Sequence, residues 1–256
     1  MDRRKIIFLA LALVFLLLLA FHGRISQNTS YHLFADTRIF LGVPNFLDVF
    51  SNLLFVIAGL SGLFFCRNNS TKTNIVEISL FIGIILTGLG SAYYHYSPTN
   101  DTLLWDRLPM TLVFMSYLSL LVDTHIIGRK TVKLFYFLLV LGLVSILYWH
   151  VSSIFGKDDL RLYVFVQFYP VLSIPVIFIL YPSSRKGLKF VLLTFAFYVI
   201  AKLFEATDQP VYNMIGISGH SLKHITAGIS TWYIYKYVVF ITQGETTTHQ
   251  EIPADQ

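Results

Sequence analysis

Apolar runs separated by short polar stretches recur along the whole chain. A bilayer crossing needs about 17 to 25 mostly apolar residues, and by that measure spans are predicted at roughly 6–21, 50–66, 75–95, 107–126, 133–150, 161–181, 188–205 and 219–242. Each is expected to be a helix. Hydrocarbon offers no partner to an unpaired backbone amide, and the alternating pattern of a membrane barrel is absent. The predicted fold is all-α: a polytopic seven-transmembrane-helix bundle preceded by an N-terminal hydrophobic segment. The domain reading is 1–22 as a membrane anchor or signal segment, 45–242 as the seven-helix domain and 243–256 as a polar cytoplasmic tail.

Composition excludes a soluble globular domain, since 55% of residues are hydrophobic and only 13% charged. The net charge of +5 raises the question of an acidic partner, but no basic run is long enough for nucleic acid. The basic residues instead follow topology. Arg3, Arg4 and Lys5, then Arg67 and Lys72, then Arg129, Lys130 and Lys133, then Arg185, Lys186 and Lys189 all fall on one side of the predicted spans. By the positive-inside rule that side is cytoplasmic. The opposite loops are mixed or acidic, with Arg24, Asp36, Arg38 and Asp48 in one, Lys157, Asp158, Asp159 and Arg161 in another, and Glu205 and Asp208 in the last. A retained anchor is the preferred reading of the first segment, with a cleaved signal peptide as the alternative, because Leu18 and Ala20 make a poor cleavage signal. Both readings leave the seven-helix core in one orientation.

With that topology, Ser91 and His95 end the third segment, Asp106 opens the fourth after a short loop, and His220 and His224 occupy the first turns of the last segment, all toward the outer side. Residues four apart share a helix face, so Ser91 stacks with His95 and His220 with His224. Ionisable groups at membrane depth are costly and point to function. The single cysteine, Cys66, rules out a Cys-rich cluster, so a transition metal would need nitrogen and oxygen ligands. Three imidazoles suit zinc, which lowers the pKa of a water to about 7. Asp106 could then take a proton from that water and Ser91 could donate to an oxyanion, which suggests acyl hydrolysis.

Blander readings stand beside these. His22, His32, His125, His150 and His249 taken singly read as helix-end or packing residues, and an i, i+4 histidine pair can also bind haem. Asp106 has the adjacent Arg107 as a salt-bridge partner, and Ser91 follows Gly88 and Gly90 as a small residue permitting close helix contact. Lys202, Glu205 and Asp208 sit at successive turns of one helix, with Lys202 paired to one of the acids or the group binding a polar headgroup. Lys223 is expected on another face, snorkelling to the interface. Tyr148 and Trp149 fit an interfacial aromatic belt, and Pro170 and Pro175 should kink their helix.

At these residues the chain resembles a known family. Gly88-Leu-Gly-Ser-Ala-Tyr-Tyr-His95 followed by Asp106-Arg-Leu-Pro-Met110 looks like the paired signature of the alkaline ceramidases, and Ser218-Gly-His-Ser-Leu-Lys-His224 is similar to their final motif. Phe46-Leu-Asp-Val-Phe-Ser-Asn52 resembles the start of their first core helix. The resemblance, to the bacterial branch of the superfamily that includes adiponectin-receptor-like proteins, implies a seven-helix intramembrane zinc amidase cleaving ceramide-like lipids to fatty acid and sphingoid base. It implies Zn2+ ligands at His95, His220 and His224, water activation at Asp106 and oxyanion stabilisation at Ser91. It also implies an integral multi-pass protein of the bacterial cytoplasmic membrane with a membrane lipid as its partner, and the charge topology puts the site toward the outer side. Two departures stand out. Arg107 replaces the usual acidic residue after Asp106, and the N-terminal calcium-binding segment is not recognisable, with Asn45 where its last acidic ligand would fall, which puts calcium in doubt. Asp36, Asp48, Asn52, Lys202, Glu205 and Asp208 are candidates for supporting the site or binding substrate. The alternatives are hydrolysis of another acyl lipid, or a seven-helix lipid receptor whose zinc is structural.

Overall fold

In a computed structural model of the chain, residues 2–127, 132–181 and 187–249 are described. Arg129, Lys130, Arg185, Lys186 and the tail beyond His249 lie outside the described residues. The elements are α1 Arg3–His22, a 3-10 turn Thr29–His32, α2 Phe46–Phe50, α3 Leu53–Asn68, α4 Ile75–Tyr96, α5 Asn100–Val122 running into a π-helical turn Asp123–Ile127, α6 Val132–Ile154, α7 Arg161–Leu180, α8 Leu188–Ala206, α9 Asp208–Ile215 and α10 Gly219–His249. Among the described residues there is no strand beyond one isolated bridge, Phe40 to Val43. Six helical stretches are long and apolar enough to cross a membrane, or up to seven if the bent pair α8–α9 is one span. The chain is a helical multi-pass membrane protein. Its lipid-facing surface carries exposed large apolar side chains such as Leu60, Phe64, Leu89, Phe137 and Ile179.

The expected span at 219–242 is helical but is not among the six. His220, Ser221, His224, Ser230 and Thr231 are buried, so the polar side of α10 faces protein rather than lipid. α10 packs against α8 and α3, α4 lies between α3 and α5, and α6 and α7 close the other side of α5. α1 rests on α7, with Phe8 against Tyr169 and Phe15 against Phe165 at ring separations of 5.7 Å.

Local signals explain where the helices begin. Asn74 and Glu77 form a reciprocal capping box at the start of α4, and Thr99 with Thr102 does the same for α5. The second box starts α5 earlier than the hydropathy pattern predicts. Asp106 therefore lies in the second turn of a helix rather than at its opening, and the α4–α5 loop is Ser97–Thr99 only. Ser218 Oγ accepts from the Ser221 N–H at 2.8 Å and so caps α10. α7 continues through Pro170 and Pro175. A larger departure is the 83° bend between α8 and α9. It takes Asp208 off the axis of α8, so Lys202, Glu205 and Asp208 are not on successive turns of one helix.

Close approach of α4 to α5 depends on Gly90. A Cβ there would stand 2.0 Å from the Trp105 carbonyl oxygen, a backbone atom that cannot step aside. Gly90→Ala is expected to lower stability by about 1–3 kcal/mol through overpacking. Gly244→Ala, where a Cβ meets nothing within 4 Å, should be close to neutral. Thermal unfolding of both variants in detergent checks this, and equal melting temperatures would refute the close contact.

Candidate metal centre

His95 in the last turn of α4 meets His220 and His224 from the first turns of α10, and all three are buried. Their rings stand 4.7 to 4.9 Å apart, centroid to centroid. One ring nitrogen from each can be chosen so that the three lie within 4.8 Å of one another, close enough to hold a metal ion. Both ring nitrogens of His95 and Nε2 of His224 are buried without a hydrogen-bond partner. Buried unpaired ring nitrogens are costly, and one from His95 and one from His224, beside the His220 ring, fit a cation better than a packing role.

The surroundings orient these rings. Ser51 Oγ lies 2.9 Å from His224 Nδ1 and Asn52 Nδ2 lies 3.4 Å from the same nitrogen, which leaves Nε2 for an ion. Asn45 donates to the His95 carbonyl at 2.8 Å. Asp48, buried, accepts from the Ser218 and Ser221 hydroxyls at 2.8 and 2.5 Å, tying α2 to the start of α10. Asp208 accepts the His220 backbone N–H at 2.9 Å and the Ala35 N–H at 3.0 Å. The loop before α2 thereby closes over the cluster, with Phe34 packed on His95 and His220 at 4.5 and 4.8 Å. Asp36 sits farther out in that loop. Its carboxyl bonds Arg38, which also reaches the Gly216 carbonyl, and these hydrogen bonds hold Asp36 below the ordinary carboxylate range.

Asp106 and Ser91 face each other across the α4–α5 contact, beside the cluster. The salt bridge weighed between Asp106 and Arg107 is not present. Arg107 Nη2 instead donates to Gln27 Oε1 at 2.6 Å. Trp149 is completely buried and stacks on that guanidinium at 4.8 Å, so it belongs to no interfacial belt, whereas Tyr148 is exposed. Lys202 pairs with Glu205 at 2.6 Å. Lys223 does not snorkel away: it lies 3.4 Å from Glu205 Oε1 and 2.7 Å from His220 Nε2. Among the residues shaping this region, Phe34 carries no sequence signal, and Ser51, Ser218 and Ser221 are visible only as members of the Phe46–Asn52 and Ser218–His224 stretches. Tyr31, whose hydroxyl donates to Glu205 Oε1 at 3.1 Å, carries none.

A cavity of about 320 Å3 opens beside the cluster and reaches His224, Ser91 and Asp106. Away from the cluster it is apolar, lined by Ile84, Ile174, Phe195 and Ile234, while Arg107, Lys202, Glu205 and Lys223 line the near end. A family model described as Ceramidase matches residues 39–253, a stretch that holds all three histidines, Ser91 and Asp106. The chain belongs to the ceramidase family. No curated protein matches it. Membership implies a hydrolase acting on amide bonds, with a lipid such as ceramide as substrate. In this ceramidase-family chain, α1, Tyr31 and Phe34 lie outside the matched residues.

Two substitutions test the cluster through metal binding alone. His95→Ala should abolish high-affinity binding of a divalent transition metal to the purified protein. Lys223→Met removes a positive charge from the edge of the cluster and should tighten binding about tenfold, the size of one screened charge interaction. Calorimetric titration reads both, and unchanged affinity in His95→Ala would remove that residue from the ligand set.

Proposed function

We propose that this protein is an intramembrane zinc-dependent amidase that cleaves ceramide-like lipids to a fatty acid and a sphingoid-type base, with its site toward the outer side of the membrane. The observation that carries this reading is the convergence of unpaired imidazole nitrogens beside Asp106 and Ser91, at the junction of a charged and an apolar cavity end. His95, His220 and His224 would hold the zinc, which when bound lowers the pKa of a water and polarises a carbonyl.

The chain's own groups divide the remaining work. Asp106 accepts a proton from the attacking water and returns it to the amine nitrogen as the C–N bond breaks. The Ser91 hydroxyl donates a hydrogen bond to the carbonyl oxygen as negative charge develops there. The apolar end takes the acyl chain out of water, which positions the amide between Ser91 and Asp106. Phe34 and the loop held by Asp208 cover the cluster from the aqueous side. Asp36, Asp48, Asn52 and Asp208 serve by positioning loops and ligands rather than by touching substrate. Lys202 and Glu205 stand where a polar head would pass.

Purified protein incubated with matched ceramides and acyl esters should release fatty acid from the amide, and a chelator should stop the release. Asp106→Asn should keep its zinc and lose at least about 100-fold in turnover, the usual contribution of a general base. Released fatty acid measured by mass and zinc measured on the same preparation check both statements. Full turnover in the chelated protein would refute the zinc mechanism, and loss of zinc in Asp106→Asn would make Asp106 a ligand.

A further inference from the structure

Arg107 is the charged cavity residue for which the proposed reaction has no use. It is 7% exposed, and its guanidinium is boxed by the faces of Trp149, Tyr163 and Tyr31 at 4.8, 5.1 and 5.4 Å. Gln27 holds Nη2, and the Gln27 backbone N–H in turn donates to the Asp158 carboxylate. The guanidinium is thus fixed by the outer loop and the α6–α7 loop together. Nη1, by contrast, is buried with no hydrogen-bond partner, and no ion pair joins the side chain to Asp106. Asp106 lies within electrostatic reach but makes no ion pair with it, and a buried guanidinium edge left unpaired is disfavoured unless an anion is supplied to it.

Charge along the cavity points the same way. Arg107, Lys202 and Lys223 line it against only Asp106 and Glu205. Both lysines pair with Glu205, and Asp106 faces Lys223 and Arg107 without an ion pair to either, so the cavity carries one positive charge in excess. Depth fixes what could reach it. Tyr117, which lines the apolar end, lies ten residues farther along α5 toward the cytoplasmic side, about 15 Å at the rise of a helix. An acyl chain directed toward Tyr117 places the amide beside Asp106 and the rest of the lipid beside Arg107, among groups from the outer loops.

We propose that Arg107 is the recognition site for an anionic headgroup, a phosphate, sulfonate or carboxylate carried on the amine side of the amide, so that the preferred substrate is an acidic N-acyl lipid rather than one with a neutral head. The aromatic box holds the guanidinium plane, and the Nη1 edge donates to an anionic oxygen. This rests on the amidase reading for its chemistry, although the binding site itself does not.

The test compares fatty acid release from ceramide, ceramide 1-phosphate, an N-acyltaurine and an N-acylglycine of one acyl length, by the full-length protein and by Arg107→Gln. An acidic substrate should exceed ceramide by about tenfold in kcat/KM, as one charge-assisted hydrogen bond allows, and the best of the three identifies the acid. Arg107→Gln should collapse that ratio toward one, the acidic substrates losing about tenfold more than ceramide, and Arg107→Lys should restore part of it. Preference for ceramide, or an equal loss on all substrates in Arg107→Gln, overturns the proposal. A second readout separates it from the amidase reading: dodecyl phosphate should raise the melting temperature more than dodecanol does, and only when Arg107 is present. That result without release from any substrate would overturn the amidase and keep the anion site, whereas equal protection by the two amphiphiles overturns the site.

Discussion

A bilayer supplies no hydrogen-bond partner, and the arrangement of this protein follows from how it meets that constraint at one place. The backbone meets it by being helical almost throughout. Side chains meet it pair by pair: Asp48 with two serines, Lys202 with Glu205, His125 with Tyr237. The densest departure from that pairing is the histidine cluster, where His95 has neither ring nitrogen satisfied and His224 lacks a partner at Nε2. Each unsatisfied group costs about 1–3 kcal/mol. Binding a cation relieves that cost, which couples occupancy of the site to stability of the end of the bundle that holds it. The structural groups around it keep the imidazoles converging. Asp208 binds an N–H at the start of α10 with one oxygen and the overlying loop with the other.

Most of the bundle was legible because spans facing lipid must be apolar, and that is what a hydropathy pattern detects. The His220–His224 pair was legible because a spacing of four fixes a common face. What misled was polarity with two origins. Asn100, Asp101 and Thr102 read as loop because they are polar, yet Thr99 and Thr102 use their hydroxyls to cap a helix. A capping box without a carboxylate has little sequence signal. α10 shows the same ambiguity in reverse: its polar residues are buried against α3 and α8, so it is less apolar than a lipid-facing helix must be.

Other misreadings came from assuming that a helix continues or that one kind of neighbour is decisive. Extending α8 by one turn put Asp208 beside Lys202, but the chain bends at Thr207 and spends that carboxylate on backbone N–H groups of α10 and the loop. Lys223 was assigned to another face, although three residues correspond to 300°, only 60° from His220. Trp149 at a helix end resembled an interfacial anchor. Its burial follows from Arg107, because a guanidinium kept from water and without an ion-pair partner needs aromatic faces, and those come from α6, α7 and the loop before α2, distant in sequence.

Glu205 links the two halves of the site. An ammonium at 2.7 Å from a histidine in the cluster opposes any dication held there, and at the reduced dielectric of a buried site one such repulsion is worth a few kcal/mol. Glu205 offsets it, since its carboxylate holds Lys202 on one side and Lys223 on the other while accepting the Tyr31 hydroxyl. Tyr31 also forms one wall of the Arg107 box. A single carboxylate thus offsets the lysine charge beside the histidines and fixes an aromatic face beneath the guanidinium. The charge that favours a cation at the cluster and the geometry that favours an anion at Arg107 depend on the same side chain, so the polar end of the cavity functions as one connected unit and the apolar end is left to take the hydrocarbon.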